Sequence, residues 1–362
     1  MIIIIISSSY HKFKLGGAEL QMKYLIEYLS TKNITIHYVF LNKEVIEKKD
    51  GDVYLHGIGR KNRLLEWFFG EIIYYNDVYH LLESVKPNAI YHRNLGTLAF
   101  PIIQYSKQHK VKTVFHIALI NDVIKKFSFS WNIISSLIYY HCKNKLIQNF
   151  DHIIAQAKYQ DTLLKKNYGR NADFVMPNAH PIPKMKDIQN EGIRVLWVAN
   201  LKPAKRPELF VRLASQLKDL GVEFAMVGRD PHTKWSSLLK NEIAKVSCLK
   251  YYGALPIDEV NELFSESSIF VNTSEIEGFP NTFIQAWMRS VPVVSLSINP
   301  DNIITDNNLG YHSKSFQQLI KDVEILIHNE DLRQSLGTNA NKYALVNYTV
   351  SNFNKLYTLI KS

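Results

Sequence analysis

Short apolar runs alternate along the whole chain with longer stretches in which apolar positions recur at a helical period. The first run, "MIIIIISSS", precedes a helical pattern near residues 18–30. Further strand-like runs occupy residues 35–41, 87–93, 112–118 and 150–157. Continuous apolar runs of this length are typical of parallel strands buried on both faces, with the helices as crossover connections.

The same alternation starts again after residues 175–193, a segment rich in Pro and polar residues. A helix is predicted near residues 206–220. Strands are predicted at 193–200, 222–228, 248–253, 268–274 and 291–297. Two such series predict an α/β protein with two Rossmann-like, doubly wound domains that face a cleft.

Composition and length agree with this division. The 362 residues suit two domains, and 46% apolar residues indicate a globular protein. Cys142 and Cys248 are the only cysteines, which favours a reducing compartment and excludes a disulfide framework. The five-Ile start lacks a basic region and is predicted to be a strand, not a signal peptide. No apolar run approaches about 18 residues, so no membrane-spanning segment is predicted. A cytoplasmic location is predicted.

Charge is distributed unevenly. Residues 1–180 hold 23 Lys and Arg against 14 Asp and Glu, whereas residues 181–362 hold 20 against 19. Most of the formal net charge of +10 therefore lies in the first half. A basic half favours an anionic partner such as membrane lipid, a phosphorylated acceptor or nucleic acid.

Ligands of doubly wound sheets bind where strands end and helices begin, and two such turns carry candidate residues. In "KLGGAEL", Gly16 and Gly17 leave room for a phosphate beside the start of a helix. In "VANLKPAKRPEL", Lys202, Lys205 and Arg206 cluster before a helix, where cations are unfavourable unless an anion is bound. The alternatives are a plain helix cap and a solvated helix start.

A third turn lies in "SEIEGFPNTFIQAW", residues 274–287. Pro280 suits a first helical residue, so the helix would direct its N–H groups toward a ligand. Glu277 could accept hydrogen bonds from sugar hydroxyls, and Gln285 could reach a ribose. A capping carboxylate and a surface amide are the structural alternatives for these two residues.

Together these turns resemble the family-4 retaining glycosyltransferases (glycosyltransferases group 1), which have the two-domain GT-B architecture. The resemblance runs in order through Gly16-Gly17, His116 in "VFHIA", Asn178 in "VMPNA" and Lys205. Its most specific part is "EGFPN" with the later "PVV", residues 292–294. Two positions depart from the family pattern: Asn200 stands where an Arg is usual, and Gln285 where a second Glu is usual.

The resemblance implies transfer of a sugar from a nucleoside diphosphate sugar, with retention at the anomeric carbon. His116 and Glu277 are the expected catalytic residues. The expected donor-binding residues are Gly16, Gly17, Asn200, Lys202, Lys205, Arg206, Gly278, Phe279, Pro280, Asn281 and Gln285. No metal or other cofactor is expected, because Lys205 and the backbone amides at the helix start would neutralise the charge of the diphosphate. The one Asp-x-Asp pair, Asp50-Gly51-Asp52, is interpreted as a solvated turn in a charged loop.

The resemblance divides the chain into an acceptor-binding domain at 1–180 and a nucleotide-sugar domain at 181–345. A last helix, 346–362, would pack back on the first domain. Basic and aromatic residues mix at 60–75 and 125–145, which suits a membrane interface or an amphipathic helix packed on the sheet.

The predicted acceptor is a glycan or lipid-linked glycan, as in assembly of bacterial capsule or lipopolysaccharide, at the inner face of the plasma membrane. Three alternatives stay open: a nucleotide-sugar epimerase of the same fold, a non-catalytic sugar-nucleotide binding protein, and a nucleic-acid binder. The last is disfavoured, since the bases form no known reading motif.

Overall fold

The computed structural model describes residues 1–13, 16–93, 95–96, 98–124, 133–184 and 192–362. Parts of the predicted segments at 14–20, 125–145 and 175–193 lie outside the described residues. The chain divides into two compact units. The first contains Met1–Ala179 and Val350–Ser362, and the second contains His180–Thr349.

Eight strands form one sheet among the described residues of the first unit. They are β1 (Ile2–Ile6), β2 (Thr35–Asn42), β3 (Ile46–Asp50), β4 (Val53–Gly59), β5 (Ala89–Arg93), β6 (Lys112–His116), β7 (His152–Ala155) and β8 (Phe174–Val175). Their order is β3-β4-β2-β1-β5-β6-β7-β8, and only the edge strand β3 is antiparallel to its neighbour.

The helices of the first unit connect these strands and cover the sheet. They are α1 (Gly17–Ser30), α2 (Arg63–Phe69), α3 (Tyr75–Val85), α4 (Ala99–His109), α5 (Ile133–Asn149) and α6 (Lys158–Tyr168). The C-terminal helix Phe353–Lys361 also belongs to this unit. Its Phe353 ring lies 5.7 Å from the ring of Tyr28 on α1, and Lys112 donates to its Leu359 carbonyl at 2.8 Å.

In the second unit, a six-stranded parallel sheet has the order β11-β10-β9-β12-β13-β14 over the described residues. The strands are β9 (Arg194–Val198), β10 (Glu223–Val227), β11 (Leu249–Tyr251), β12 (Ile269–Asn272), β13 (Val293–Ser295) and β14 (Gly310–His312). The helices are α7 (Pro207–Gln216), α8 (Lys234–Ala244), α9 (Ile257–Ser265), α10 (Asn281–Trp287), α11 (Ile303–Asp306), α12 (Phe316–His328) and α13 (Glu330–Asn347). We number the C-terminal helix of the first unit α14.

Each unit has its own apolar core. Ile4, Ile90 and Phe115 are fully buried in the first, and Trp197 and Phe224 are buried in the second. Apolar strand residues lie on both faces of each sheet because helices cover both faces. The predicted α/β class with two parallel-sheet domains is confirmed.

One local prediction is wrong. The residues around Asp50-Gly51-Asp52, 47–54, were expected to be a charged loop, but they lie in the hairpin of β3 and β4. Asp50 pairs with Val53 across a turn whose Gly51 has φ +60°. Lys48 and Lys49 are exposed, and their charges made β3 look like a loop in the sequence. Charged side chains are typical of an edge strand, where they prevent pairing with a further strand.

Candidate functional site

The strand order of the second unit selects one crevice. Neighbouring strands β9 and β12 are the point where the order reverses, because β10 and β11 lie to one side and β13 and β14 to the other. Ligands of open α/β sheets bind outside the carboxyl ends of strands at such a point. The loops that leave β9 and β12 there carry Lys205 and Glu277.

Lys205 and Glu277 form an ion pair in which Nζ contacts Oε1. Their side chains are 24% and 18% exposed, so the pair is largely buried yet open to solvent on one side. Two oppositely charged groups at a switch point are suited to hold a ligand that carries both phosphate and hydroxyl groups.

Thr273, which is fully buried, joins the two loops. Its hydroxyl accepts a hydrogen bond from Trp197 Nε1 at 2.9 Å and donates to the Lys205 carbonyl at 2.7 Å. The backbone N–H of Glu275 donates to the carbonyl of Ala204 at 2.9 Å. These bonds fix the backbone on either side of the Lys205–Glu277 pair, so the pair is positioned before any ligand arrives.

The other predicted cations have different surroundings. Arg206 has φ +47°, and its guanidinium donates to the Thr273 carbonyl at 2.9 Å and to Ser297 Oγ at 2.6 Å. It therefore ties the loops after β9, β12 and β13 together. Lys202 is exposed and precedes the short 3-10 helix Pro203–Lys205.

Asn200 is half-buried in the same loop. Next to it, the carbonyl of Ala199 would lie 1.7 Å from a Cβ added at Gly228, after β10. The loops after β9 and β10 are thus in backbone contact, which explains the glycine at position 228.

The predicted "EGFPN" turn joins β12 to α10. The helix begins at Asn281, one residue later than predicted, and Pro280 is the capping residue before it. Gly278 is half-buried, while the Phe279 ring is buried 5.2 Å from the ring of Tyr348. Since α10 has only seven residues, we assign less weight to its N–H groups than to the Lys205–Glu277 pair.

Gln285 lies inside α10 and is 3% exposed. Its Nε2 donates to Asn261 Oδ1 on α9 at 2.9 Å, and Arg289 Nη1 donates to its carbonyl at 3.0 Å. The amide therefore links two helices in this structure. Gln285 is therefore not the surface amide that was the structural alternative.

In the first unit, Gly17 begins α1 and Gly16 precedes it with extended backbone. A Cβ at Gly16 would lie 2.6 Å from the carboxylate of Glu19, which also accepts a hydrogen bond from Ser8 at 3.1 Å. The glycine therefore makes room for a carboxylate at the start of the helix. This charge complements the helix dipole.

His116 ends β6 and is 1% exposed. Its Nδ1 lies 2.6 Å from the Tyr91 hydroxyl and 3.2 Å from Arg93 Nη1. Burial, and then the Arg93 charge, lower the pKa of His116 well below its usual value, while the Met176 backbone acts in the opposite direction. Tyr91 and Arg93 were not among the predicted site residues, although both lie at the end of a predicted strand.

The Asp50-Gly51-Asp52 pair is the turn of the β3–β4 hairpin. Asp50 accepts hydrogen bonds from Lys12 Nζ at 2.8 Å and Tyr10 Oη at 3.1 Å, while Asp52 is exposed. Across the ranges that the structure describes, no three His, Cys, Asp or Glu side chains are grouped so that they could hold a metal ion.

Helix α2 presents an unusual surface. Leu64, Leu65, Trp67 and Phe69 are between 43% and 64% exposed. Beside them, Lys61 pairs with Asp77 at 2.7 Å. No helix in the described part of the chain combines the length and apolar character needed to cross a membrane.

The second unit is similar in sequence to a known family. The sequence model of the family described as glycosyl transferases group 1 matches residues 180–343. An uncharacterized glycosyltransferase of Methanocaldococcus jannaschii is 26% identical over 203 residues, which are 54% of this chain and 55% of that protein. One of Haemophilus influenzae is 21% identical over 192 residues, or 50% and 53%. The chain thus spans about half the length of the curated relatives that it matches.

Solved structures match nearly the whole chain. Sucrose-phosphate synthase of Thermosynechococcus elongatus superposes with a TM-score of 0.80 at 12% identity, covering 99% of this chain and 98% of that one. HepE of Anabaena in complex with UDP-glucose gives 0.76 at 16% identity over 100% of both chains. WaaG, a glycosyltransferase involved in lipopolysaccharide biosynthesis, gives 0.77 at 16% over 99% of both. These likenesses identify the fold as GT-B.

Proposed function

Residues 180–343 belong to the glycosyl transferases group 1, and from this we propose that the protein transfers a sugar from a nucleoside diphosphate sugar to an acceptor hydroxyl. The observation that carries the proposal is the Lys205–Glu277 pair at the switch point between β9 and β12. Structures of similar fold hold UDP or UDP-glucose, which supports a nucleotide-sugar donor.

The roles follow from charge. Lys205 meets the diphosphate and stabilises the negative charge that grows on it as the sugar leaves. Glu277 accepts hydrogen bonds from sugar hydroxyls, and Gln285 remains the proposed contact for ribose. Lys202 and Asn200 line the same loop, and Arg206 supports its backbone.

We further propose a retaining, hexosyl-type reaction without a metal ion. The bond from the anomeric carbon to the phosphate oxygen breaks, and a bond to the acceptor oxygen forms on the same face. The acceptor's proton passes to the departing phosphate oxygen, so no protein base is required. Transfer that stops in EDTA and returns with manganese or magnesium would contradict the metal-free proposal.

The first experiment is a thermal-shift screen with UDP-, GDP-, ADP- and TDP-sugars, because a ligand that binds the native state raises the melting temperature. The best donor then enters a transfer assay with Lys205→Ala and a control, Lys321→Ala, on the exposed surface of α12. We expect Lys205→Ala to weaken nucleoside diphosphate binding by about 1.5–3 kcal/mol. Equal affinities for both variants would refute the role of Lys205.

Glu277→Ala tests catalysis separately from binding. The expected result is loss of most transfer activity with an unchanged melting curve, since the loop is held by Thr273 and not by this side chain. If the nucleotide sugar is bound but never transferred by the wild type, the non-catalytic alternative replaces this proposal. If the donor is converted to another nucleotide sugar without any acceptor, the epimerase alternative replaces this proposal.

A lipid-linked glycan at a membrane surface is the proposed acceptor, and surface polysaccharide assembly the proposed pathway. The four exposed apolar side chains of α2 support it, because aromatic and aliphatic side chains enter the interfacial region of a bilayer. Co-sedimentation with anionic vesicles should fall for Leu64→Ser with Trp67→Ser. It should not change for Val346→Ser, a control that is 79% exposed on α13. Equal sedimentation of all three proteins would refute a membrane role for α2.

A further inference from the structure

A chain of buried polar side chains crosses the ends of β5 and β6. The two strands are parallel, and their register places Arg93 directly beside His116. Tyr91 is two residues before Arg93, so it points to the same face of the sheet. Tyr91, Arg93 and His116 are 0%, 2% and 1% exposed.

The direction of each hydrogen bond follows from Arg93, because a guanidinium can only donate. Its Nη2 donates to Asn178 Oδ1 at 3.0 Å. Its Nη1 donates to His116 Nδ1 at 3.2 Å and, more weakly, to Tyr91 Oη at 3.4 Å. Nδ1 of His116 must therefore be an acceptor.

Tyr91 fits the same direction. Its hydroxyl oxygen accepts from Arg93, so its hydrogen is available for His116 Nδ1 at 2.6 Å. Two donors thus converge on one ring nitrogen. A proton on Nδ1 would face both of them, which makes that protonated form unfavourable.

The charge of Arg93 adds to this effect. The guanidinium donates to the neutral groups of Tyr91, His116 and Asn178, and among the described residues it forms no ion pair with a carboxylate. Its full positive charge therefore opposes an imidazolium, in agreement with the lowered pKa of His116, for which burial is the larger cause. The titratable or charged groups in hydrogen-bond contact with the ring are Tyr91 and Arg93.

The remaining ring nitrogen is then the donor. In a neutral imidazole one nitrogen carries the hydrogen, so an acceptor Nδ1 leaves it on Nε2. Nε2 is buried and forms no hydrogen bond of ordinary geometry with the described residues. The Met176 backbone, the smallest of the three influences on the pKa of His116, favours the protonated ring. A donor in this state gains from any acceptor oxygen that reaches it.

We propose that Arg93 and Tyr91 are positioning residues that hold His116 as the neutral tautomer with its hydrogen on Nε2. In this state His116 donates a hydrogen bond and takes up no proton. The tautomer itself does not depend on the proposed function. Only one consequence rests on that function, namely that His116 is not the base for the acceptor hydroxyl. Arg93 acts through His116 and not on the substrate.

The tautomer is measured directly by nitrogen-15 NMR of histidine-labelled protein, with His116→Gln to identify the signals. We expect an unprotonated Nδ1 and a protonated Nε2 that do not change between about pH 5 and 8, where an ordinary histidine titrates. A protonated Nδ1, or a ring that titrates in this window, would overturn the proposal.

Variants test which side chain imposes the tautomer. Tyr91→Phe should keep it, because Arg93 still donates to Nδ1. Arg93→Met should release it, since the Tyr91 hydroxyl alone can either donate or accept, and a second population with hydrogen on Nδ1 should appear. Arg93→Lys, a cation that only donates, should restore the wild-type pattern. An unchanged pattern in a folded Arg93→Met protein would contradict the assignment.

Activity gives a second readout. His116→Gln keeps a buried N–H donor and should have about tenfold higher kcat than His116→Ala, the effect of one hydrogen bond. A protein base would instead be lost in both variants. If the wild type transfers no sugar but shows the expected tautomer, the proposed function fails and the assignment of the tautomer stands.

Discussion

Replacing Glu277 by Gln should have opposite effects on binding and on transfer. The carboxylate is paired with Lys205, the side chain proposed to hold the diphosphate. A nucleoside diphosphate must therefore compete with Glu277 for that cation. The substitution keeps the shape of the side chain but removes the competing charge.

The size of the effect depends on how buried the pair is. Unit charges about 4 Å apart attract by about 4 kcal/mol at an effective dielectric constant near 20. Side chains that are 24% and 18% exposed keep part of their hydration and lose the rest on pairing, and both effects offset the attraction, so we take a net value of about 1 kcal/mol. We therefore expect UDP to bind up to about fivefold more tightly to Glu277→Gln.

Transfer should move in the other direction. Without the carboxylate the sugar is oriented less well, so turnover of the nucleotide sugar falls although UDP binds better. Calorimetry with UDP and a transfer assay are the two measurements. Glu275→Gln is the matched control, because Glu275 lies exposed in the same loop.

A double-mutant cycle decides the cause. In a Lys205→Ala background, Glu277→Gln should no longer improve UDP binding, because no cation remains to be released. If Glu277→Gln and Lys205→Ala weaken UDP binding equally, Glu277 contacts the nucleotide directly. The competition described here is then refuted.

Three further changes test other parts of the structure. Gln285→Leu should weaken donor binding, measured by calorimetry, by about 1–3 kcal/mol. Gln285→Glu should preserve or raise donor affinity, once Asn261 rotates its amide. Equal donor binding by the Leu variant and the wild type would exclude a ribose contact. Burial lowers the pKa of His92 to about 4, so the unfolded state binds more protons below about pH 6.5. Lowering the pH from about 6.5 to about 4 should therefore reduce the free energy of unfolding. In His92→Phe this loss, measured by urea unfolding, should be smaller by up to about 3 kcal/mol. Gly228→Ala should lower the melting temperature sharply, because its Cβ would lie 1.7 Å from the Ala199 carbonyl; an unchanged melting temperature would contradict this contact.

Much of the architecture was predictable because buried parallel strands are continuous apolar runs. The strands β1, β5, β6 and β9 to β13 all lie within predicted segments. The hairpin at 46–59 was missed since its edge strand carries exposed charges, and an edge strand needs only one buried face. Hydropathy alone does not separate such a strand from a charged loop.

Side-chain partners were much less predictable than elements. Arg93 and Asn178 are 85 positions apart, and Gln285 and Asn261 lie on different helices. Arg206 was predicted to hold phosphate because cations at a helix start need an anion. In the structure its guanidinium donates to carbonyl and hydroxyl oxygens, which the sequence did not indicate as its partners.

The strand order of each sheet brings together motifs that are far apart in the sequence. In the second unit, the paired residues Val195 of β9 and Ile269 of β12 are 74 positions apart in the sequence, yet the two strands are neighbours in the sheet. In the first unit, β1 and β5 are the corresponding reversal, and their ends lead to Gly16 and Arg93. Each described sheet thus has one point where the strand order reverses, and ligands of such sheets bind at this point. A substitution at the end of β9, β12, β1 or β5 should therefore affect ligands far more than the same substitution at the sheet edges β8, β11 or β14.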